Sequence, residues 1–598
     1  MVILGLYEDH DAAAALMKDG EIVAAVQEER FTGRKHECGY PKNAVNACLK
    51  LGQVHPEQID AVVLASHLLN PAVIKIRRNA NFSVGDWVKE QHDFWKPRLF
   101  EGKNVNYFDV FRDRDDFIYE DTYPVDHLLH SYMSPEDMQE MARIRKETVA
   151  RIIGVPPEKV RTLNHEDCHV FYGYFAGPLR GKTLNLTAEG KGDYSNGTVS
   201  ILSEEEGRVE LAATVENMVG TIYKYITLIL GMKPTQHEYK VMGLAPYASA
   251  REIAKSYPVF ERVLKVDGLN IVFDQRPPDL YFHFRRALEG HRFDGIAGAL
   301  QQFVETLLCQ WVENCMAATG LDRVCFSGGV AQNIKACKRI MELEGLKDFF
   351  VCPASGDTSL PVGGCYYTMW EHLKNQDLPL SGLKPLRHVY LGPDFGEAEI
   401  EEALDRCQAR GKYRVNRGAT PAAIAGKLAD GLIVARCAGR MEFGLRALGN
   451  RSIMADPRRM DMPQRLNRAI KMRDFWMPFT PTILAEREKD YLINPKNLQS
   501  PFMTLAFDAT ELARKELIAA LHPADFTARP QILTEAANPE YYAIIKDFER
   551  LTGVGGVLNT SFNLHGEPIV LGPREALRTF ENSGLDVLLL NDFIIEKR

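Results

Sequence analysis

Residues 3–27 read ILGLYEDHDAAAALMKDGEIVAAVQ, and residues 183–215 read TLNLTAEGKGDYSNGTVSILSEEEGRVELAATV. The first stretch holds apolar runs at 2–7, 12–17 and 22–27, with an Asp19–Gly20 turn before the third. The second repeats the plan, with strands at 183–187, 197–202 and 209–215 and a Glu206–Gly207 turn before its third. Short apolar runs separated by turn residues specify a three-stranded meander. A meander present twice, each time followed by helical sequence, specifies a duplicated α/β domain with a cleft between its halves. In such a duplication the first loop of each unit faces the cleft. Those loops hold His10 and Asp11 in one unit and Glu189-Gly190-Lys191-Gly192-Asp193 in the other.

Outward from this repeat, residues 296–318 read as a helix and 322–326 as a short strand, followed by SGGVAQN at 327–333 and a helix from 334. Strand, glycine turn and helix N-terminus make an anion or nucleotide contact; close strand–helix packing explains the glycines equally well. This half-domain runs to about 375. Residues 376–397, rich in Leu, Pro and Gly, read as a linker, and a second globular unit follows from about 398, with a helix at 419–430 and strands at 431–436 and 585–590.

The 598 residues are too many for one core, and a composition of 45% hydrophobic and 25% charged residues is that of a globular chain. A net charge of −8 argues against a general nucleic-acid binder but leaves room for a local phosphate site. No apolar run approaches the roughly 20 residues that span a bilayer. The N-terminus reaches acidic residues at once, without the basic segment of a signal peptide. Eleven cysteines without a C-x-x-C pair fit reduced thiols, so a cytoplasmic protein without membrane or nucleic-acid partners is expected.

Two constellations stand out. In His165-Glu166-Asp167-Cys168-His169 the histidines at i and i+4 share one helix face and can share a metal. Three readings are open: histidines of the core or surface, an H-E-x-x-H zinc peptidase with Glu166 as base, or a two-histidine site completed by distant carboxylates. Asp357, in PASGDTSLPVGG, is a candidate for the last, because an acid in a glycine-flanked turn before a helix can point inward. The second constellation is GRMEFGLRALGNRSI at 439–453, which carries Arg440, Arg446 and Arg451 among glycines, with Lys471 and Arg473 in KMRDFWMPF beyond it. Guanidinium forks match phosphate geometry and glycines let backbone N–H groups approach, so this is a candidate cradle for several phosphate oxygens.

GRMEFGLRALGNRSI, LNRAIKMRDFWMPFTP and VLNTSFNLHGEPIV at 557–570, together with the opening ILGLYEDHDAAAALMKDGEIVAAVQEERFTGRKH, resemble the O-carbamoyltransferase family, which includes nodulation protein U and antibiotic carbamoyltransferases such as the tobramycin enzyme. The resemblance spans nearly the whole chain and is least clear at 70–125. It implies an actin/sugar-kinase/Hsp70-like (ASKHA) domain over 1–375 and a YrdC-like α/β domain over 398–598. It implies transfer of the carbamoyl group of carbamoyl phosphate, through carbamoyl adenylate made with ATP and Mg²⁺, to a hydroxyl of a small molecule. His165, His169, Glu189 and Asp357 would hold a divalent metal, iron foremost, with zinc or manganese as alternatives. The family usually has Asp-Gly-x-Gly where this chain has Glu189-Gly190-Lys191-Gly192. Glu166 would then be an ordinary polar helix residue.

His10 would act as base and Lys35 would contact acceptor or nucleotide. Asp11, Lys240, Gly329 and Asn333 would line the cleft around the adenylate. Arg446, Lys471, Arg473, Arg529, Ser561 and Asn563 would bind carbamoyl phosphate and ATP, and Met477 stands where the family commonly has Arg. His522 and Asp525 fit the cradle's edge or a structural loop equally. The dense aromatics Trp87, Phe94, Trp95, Tyr107, Phe108 and Phe111 fit a core, a homodimer interface or an acceptor-pocket wall. The competing functions are a tRNA threonylcarbamoyl-type transferase, the H-E-x-x-H metallopeptidase, and a non-catalytic ATP-dependent interaction protein of the actin-like class.

Overall fold

The computed structural model describes residues 1–130 and 133–597 and divides into two units, Met1–Leu386 and Arg387–Arg598. In the first unit, β1 (Val2–Tyr7), β2 (Ala13–Lys18) and β3 (Glu21–Gln27) form the expected meander. β4 (Ala61–Leu64) and β5 (Val160–Thr162) extend it in parallel, giving the order β3-β2-β1-β4-β5. The second meander is β6 (Thr183–Ala188), β7 (Gly197–Ser203) and β8 (Gly207–Thr214). A side hairpin of β9 (Leu264–Asp267) and β10 (Asn270–Phe273) follows, and then β11 (Arg323–Ser327) and β12 (Asp348–Val351) add in parallel to β6.

The second sheet's order is β12-β11-β6-β7-β8, so the two sheets share one plan: an antiparallel meander, then two parallel strands on the side of its first strand. Even the register shift recurs, at Leu16/Met17 between β2 and β3 and at Val199/Ser200 between β7 and β8. Parallel additions need crossover connections, which is why β4 and β5 lie far from β1 in sequence.

Helices His165–Phe175 and Leu360–Asn375 pack closely, and glycines make this possible. A Cβ at Gly363 would overlap the Cys168 carbonyl, and one at Gly5 would overlap the Pro361 carbonyl, so the second helix lies directly on β1 and on the first helix. The loop after β1 is braced from below: Glu8, fully buried, accepts from Arg145 Nε at 3.0 Å and from the Tyr123 hydroxyl.

Residues 70–125 form short helices, one with a π-helical turn at Glu90–Trp95, around the core residues Phe82, Trp87, Phe94, Tyr107, Phe111 and Phe117. Of the 376–397 stretch, the part up to 386 is tied to the first unit: Lys384 N–H donates to the Gly20 carbonyl at 3.0 Å and Leu386 N–H to that of Ala176 at 3.1 Å.

The second unit is built on β13 (Tyr413–Arg417), β14 (Val434–Cys437), β15 (Arg451–Ala455), β16 (Thr480–Leu484), β17 (Leu492–Ile493), β18 (Phe507–Ala509), β19 (Thr527–Ala528), β20 (Gln531–Leu533), β21 (Gly556–Ser561), β22 (Val587–Leu590) and β23 (Phe593–Lys597). Eight of these form one mixed sheet, ordered β13-β23-β22-β14-β15-β21-β16-β20, and β17-β18-β19 form a small separate one. Among the described residues no helix is long and apolar enough to cross a membrane.

Candidate functional site

In the first unit Asn164 caps the His165–Phe175 helix, its side chain accepting from Glu166 N–H at 2.9 Å and Asp167 N–H at 3.2 Å. The helical period then places His165 and His169 one above the other, with ring centroids 4.9 Å apart. Glu189 follows β6 directly, and Asp357 opens the short turn that leads into the Leu360–Asn375 helix. The four side chains converge: one ligand atom from each lies within 4.8 Å of the others, and all four residues are buried. His169 Nε2 stands 2.8 Å from Glu189 Oε1, and Asp357 Oδ1 is 3.5 Å from Nε2 of both histidines.

These residues fit a divalent cation. His165 Nε2 and His169 Nε2 are buried without a well-oriented hydrogen-bond partner, although both face carboxylates. Two neutral imidazoles and two carboxylates are a donor set that iron, zinc or manganese accepts. Burial opposes protonation of His165, but Asp357, Glu166 and Glu189 more than offset it and raise its pKa to about 10.

A further shell holds these ligands. The Tyr7 hydroxyl donates to Asp357 Oδ2 at 2.6 Å, and His10 Nε2 lies 3.4 Å from the same oxygen. Burial would lower the His10 pKa, but Asp357, Asp9 and Asp11 raise it to about 9. Gly329 N–H donates to Glu189 Oε1 at 2.6 Å, and the Ser327 hydroxyl to the His169 carbonyl at 2.9 Å, so the Ser327–Gly329 turn serves the carboxylate and its helix. Asp193 Oδ2 accepts from the N–H groups of His165 and His67, fixing the helix start. Tyr7 and Asp193 belong to no motif in the sequence; a phenol ending β1 and an acid in the loop beside Glu189 are the available signals.

The remaining residues proposed for the cleft have definite places. Asp11 Oδ1 pairs with His36 Nδ1 at 2.6 Å. Asn333 caps the Ile334–Met341 helix and exchanges hydrogen bonds with Gln301 at 3.0 Å. Lys240 is buried in the Glu238–Leu244 helix and Lys35 is half-buried beside His36. The expectation that Glu166 is an ordinary polar helix residue is corrected. It is 2% exposed, both carboxylate oxygens lack hydrogen-bond partners, and burial raises its pKa to about 7. Gly192 packs so tightly on it that a Cβ there would overlap Glu166 Oε1. A carboxylate sealed in this way is poorly placed as the base of a peptidase.

In the second unit Arg446, Arg473 and Arg529 form a cationic group. Burial and the two neighbouring guanidiniums together depress the Arg529 pKa well below its usual value, and Arg529 Nε is buried without a partner. Arg473 donates to the Thr560 hydroxyl at 3.1 Å and lies 5.2 Å from the Phe479 ring centroid. Lys471 is 3% exposed; its ammonium donates to Asn563 Oδ1 at 2.8 Å and to the Ser561 carbonyl, and Ser561 Oγ donates to Asn563 Oδ1 at 2.7 Å. Lys471, Ser561 and Asn563 therefore make one linked group at the end of β21.

Two cations drop out of the cradle. Arg451 donates to the carbonyls of Leu571, Gly439 and Asn450, and Arg440 to those of Leu391 and Gly392, so both act as backbone struts. Glu442, unassigned from sequence, collects the N–H groups of Leu448, Asn450 and Arg451 on one oxygen at 2.7–3.1 Å and shapes the loop that presents Arg446. His522 and Asp525 pair within a turn at 3.4 Å.

Residues 2–365 match the carbamoyltransferase N-terminus family and residues 425–597 the carbamoyltransferase C-terminus family. The chain belongs to the carbamoyltransferase family. Its similarity to nodulation protein NolNO of Sinorhizobium fredii is 29% identity, covering 98% of this carbamoyltransferase and 79% of that protein. With the 3'-hydroxymethylcephem-O-carbamoyltransferase of Streptomyces clavuligerus it shares 25% identity over 74% of this chain and 82% of that one. The crystal structure of T. kodakarensis HypF overlaps 64% of this chain and 49% of its own, at 12% identity and a TM-score of 0.32, which adds nothing to the topology above. This carbamoyltransferase is thus a transferase enzyme with two chemically distinct centres, an acid–histidine cluster in the first unit and a guanidinium cluster in the second.

Proposed function

We propose that this carbamoyltransferase moves the carbamoyl group of carbamoyl phosphate to a hydroxyl of a small-molecule acceptor, with ATP as activator and carbamoyl adenylate as the carrier. The second unit, read as YrdC-like, would bind carbamoyl phosphate and ATP, hydrolyse carbamoyl phosphate with one water to inorganic phosphate, which leaves, and carbamate, which is kept, and join that carbamate to the α-phosphate of ATP with loss of pyrophosphate. The observation that carries this reading is the cluster of Arg446, Arg473 and Arg529. Three guanidiniums held together raise one another's free energy, and a triphosphate with its Mg²⁺ and a phosphate monoester relieve that cost. The Lys471–Ser561–Asn563 group supplies fixed polar atoms beside them.

In the first unit, read as ASKHA-type, His165, His169, Glu189 and Asp357 would hold the divalent metal. When bound it supplies Lewis-acid polarisation of the carbamoyl oxygen. His10, 3.4 Å from Asp357 Oδ2, would take the acceptor's proton. A cation shared with Asp357 would draw off the negative charge that raises the His10 pKa and return the imidazole toward a base useful near neutrality. Asp11 would orient His36, and Lys35 and Lys240 would meet the adenylate, whose AMP leaves as the carbamate ester forms.

Carbamoyl phosphate labelled in the carbamoyl carbon, incubated with ATP, Mg²⁺, metal-loaded protein and a panel of alcohols, tests the proposal. The expected result is an alcohol carbamate formed with one AMP per transfer. Label appearing on added tRNA, or transfer that proceeds without ATP, would overturn it.

A further inference from the structure

The two halves of the first unit meet at one carboxylate. Asp193, in the loop after β6, accepts from the Ser66 hydroxyl at 2.6 Å and from the N–H groups of His67 and Leu68 at 2.8 and 2.9 Å. It also accepts from His165 N–H at 2.9 Å. Ser66–Leu68 follow β4 and the Asp193 loop follows β6, so the contact joins the carboxyl ends of two parallel arrays, β1-β4-β5 and β6-β11-β12. Ligands of open α/β sheets sit outside those ends. Asp193 Oδ2 takes the N–H groups of both His67 and His165, so this junction begins one carboxylate away from the first centre.

The loop is rigid and presents a single large apolar side chain. Glu189 N–H donates to the Asn196 carbonyl at 2.9 Å, and the Thr221 hydroxyl to that of Gly190 at 2.9 Å. Gly190 lies against Gly220 and Gly192 against Glu166, closely enough that a Cβ on Gly220 or on Gly192 would overlap the neighbour. Tyr194 instead stands 63% exposed, its ring centroid 6.1 Å from that of His67 and tilted 41° to it. His67 is half-buried; its Nδ1 is 2.9 Å from the Thr162 hydroxyl, and its Nε2 has no hydrogen-bond partner among the described residues. The charges behind this pair are already matched. Asp193 serves four donors, and Arg145 serves Glu8 and the carbonyls of Ser66 and His67, the latter two at 3.1 Å. The pair therefore offers a flat apolar face and one polar nitrogen, without a charge of its own to attract an ion.

Resting on the carbamoyl-transfer reading, we propose that Tyr194 and His67 form the platform that seats the acceptor, and that the acceptor is a ring polyol of the sugar or cyclitol class. One C–H face of the ring lies on Tyr194, and a ring hydroxyl bonds His67 Nε2. Tyrosine suits the role because its ring supplies contact area with few rotamers to freeze, and the tethered loop fixes its backbone in advance.

The test uses the full-length, metal-loaded protein, with methyl α-D-glucopyranoside as the ring probe and D-sorbitol as its open-chain counterpart. Binding is read by saturation-transfer-difference NMR, with circular dichroism as the check on folding. The glucoside's ring protons should be saturated by the native protein. The signal should fall about fivefold or more in Tyr194→Ala and stay within about twofold of native in Tyr194→Phe, which keeps the ring face. Sorbitol at equal concentration should give about a fifth of the glucoside signal or less. No saturation in the native protein, equal signals from native and Tyr194→Ala, or equal signals from glucoside and sorbitol would overturn the proposal. A folded Tyr194→Phe as weak as Tyr194→Ala would overturn it too, since the hydroxyl and not the ring face would then hold the probe. Carbamoyl-phosphate-dependent ATP–pyrophosphate exchange on the native preparation reports the underlying transfer reading separately.

Discussion

Asp357 carries more of the first centre than any other residue: one oxygen faces His165 and His169, the other Tyr7 and His10. Burial resists its ionisation, yet His165 and His10 hold its pKa well below the usual carboxylate range. The histidines answer in the opposite sense, at about 10 for His165 and about 9 for His10 in the metal-free protein. Folded-state values above the ordinary histidine value of about 6.5 stabilise the fold fully below that pH, and the contribution is lost as pH rises through 9 to 10. Metal binding requires neutral His165 and releases protons. Urea unfolding of chelator-treated protein should therefore show stability from this site falling between about pH 6.5 and 10, while saturating metal flattens the decline. Parallel pH profiles with and without metal would rule out the shared site.

At the scale of elements, the turn Ser327–Gly329 joins β11 to the first centre. Gly328 has φ +95°, and a Cβ on it would overlap the Ala188 carbonyl beside Glu189, so the turn excludes side chains on two counts. Gly328→Ala should push Glu189 out of line and weaken metal binding roughly 10- to 100-fold, as loss of a ligand's support does. Chelator competition measures it, with far-ultraviolet circular dichroism as the check on folding; native affinity in a folded Gly328→Ala protein would refute the turn's role.

The same turn shows what sequence can and cannot carry. Strand, glycines and helix were legible as a pattern, but whether they faced a nucleotide or packed on a neighbour was not, because the decisive partner, Glu189, lies far away in the chain. The meanders were legible because alternation and turn residues are local. β4 and β5 are not legible because they are short and join the sheet only through parallel pairing, β4 to β1 and β5 to β4. In the 439–453 segment sequence counted cations without showing direction, so Arg440 and Arg451 looked like Arg446 until their carbonyl partners appeared.

For the whole molecule, the duplicated sheets and the mixed sheet of the second unit provide two scaffolds, each with one polar centre. His165 and His169 can be paired from sequence because helical spacing is local, and Asp357 stands out by its glycine-flanked turn; joining Glu189 to them rests on family resemblance, since three separate segments meet there. Tyr7 and Glu442 become visible only through packing. The role proposed for the guanidinium cluster is to activate carbamate with ATP before any acceptor is engaged. ATP–pyrophosphate exchange in acceptor-free, metal-loaded protein tests it most directly. Exchange should appear only when carbamoyl phosphate is added, and should fall by on the order of 100-fold in Arg529→Ala, as when one charge-stabilising donor is removed from a reaction centre. Exchange independent of carbamoyl phosphate, no exchange in the folded protein, or a native rate in Arg529→Ala would contradict it.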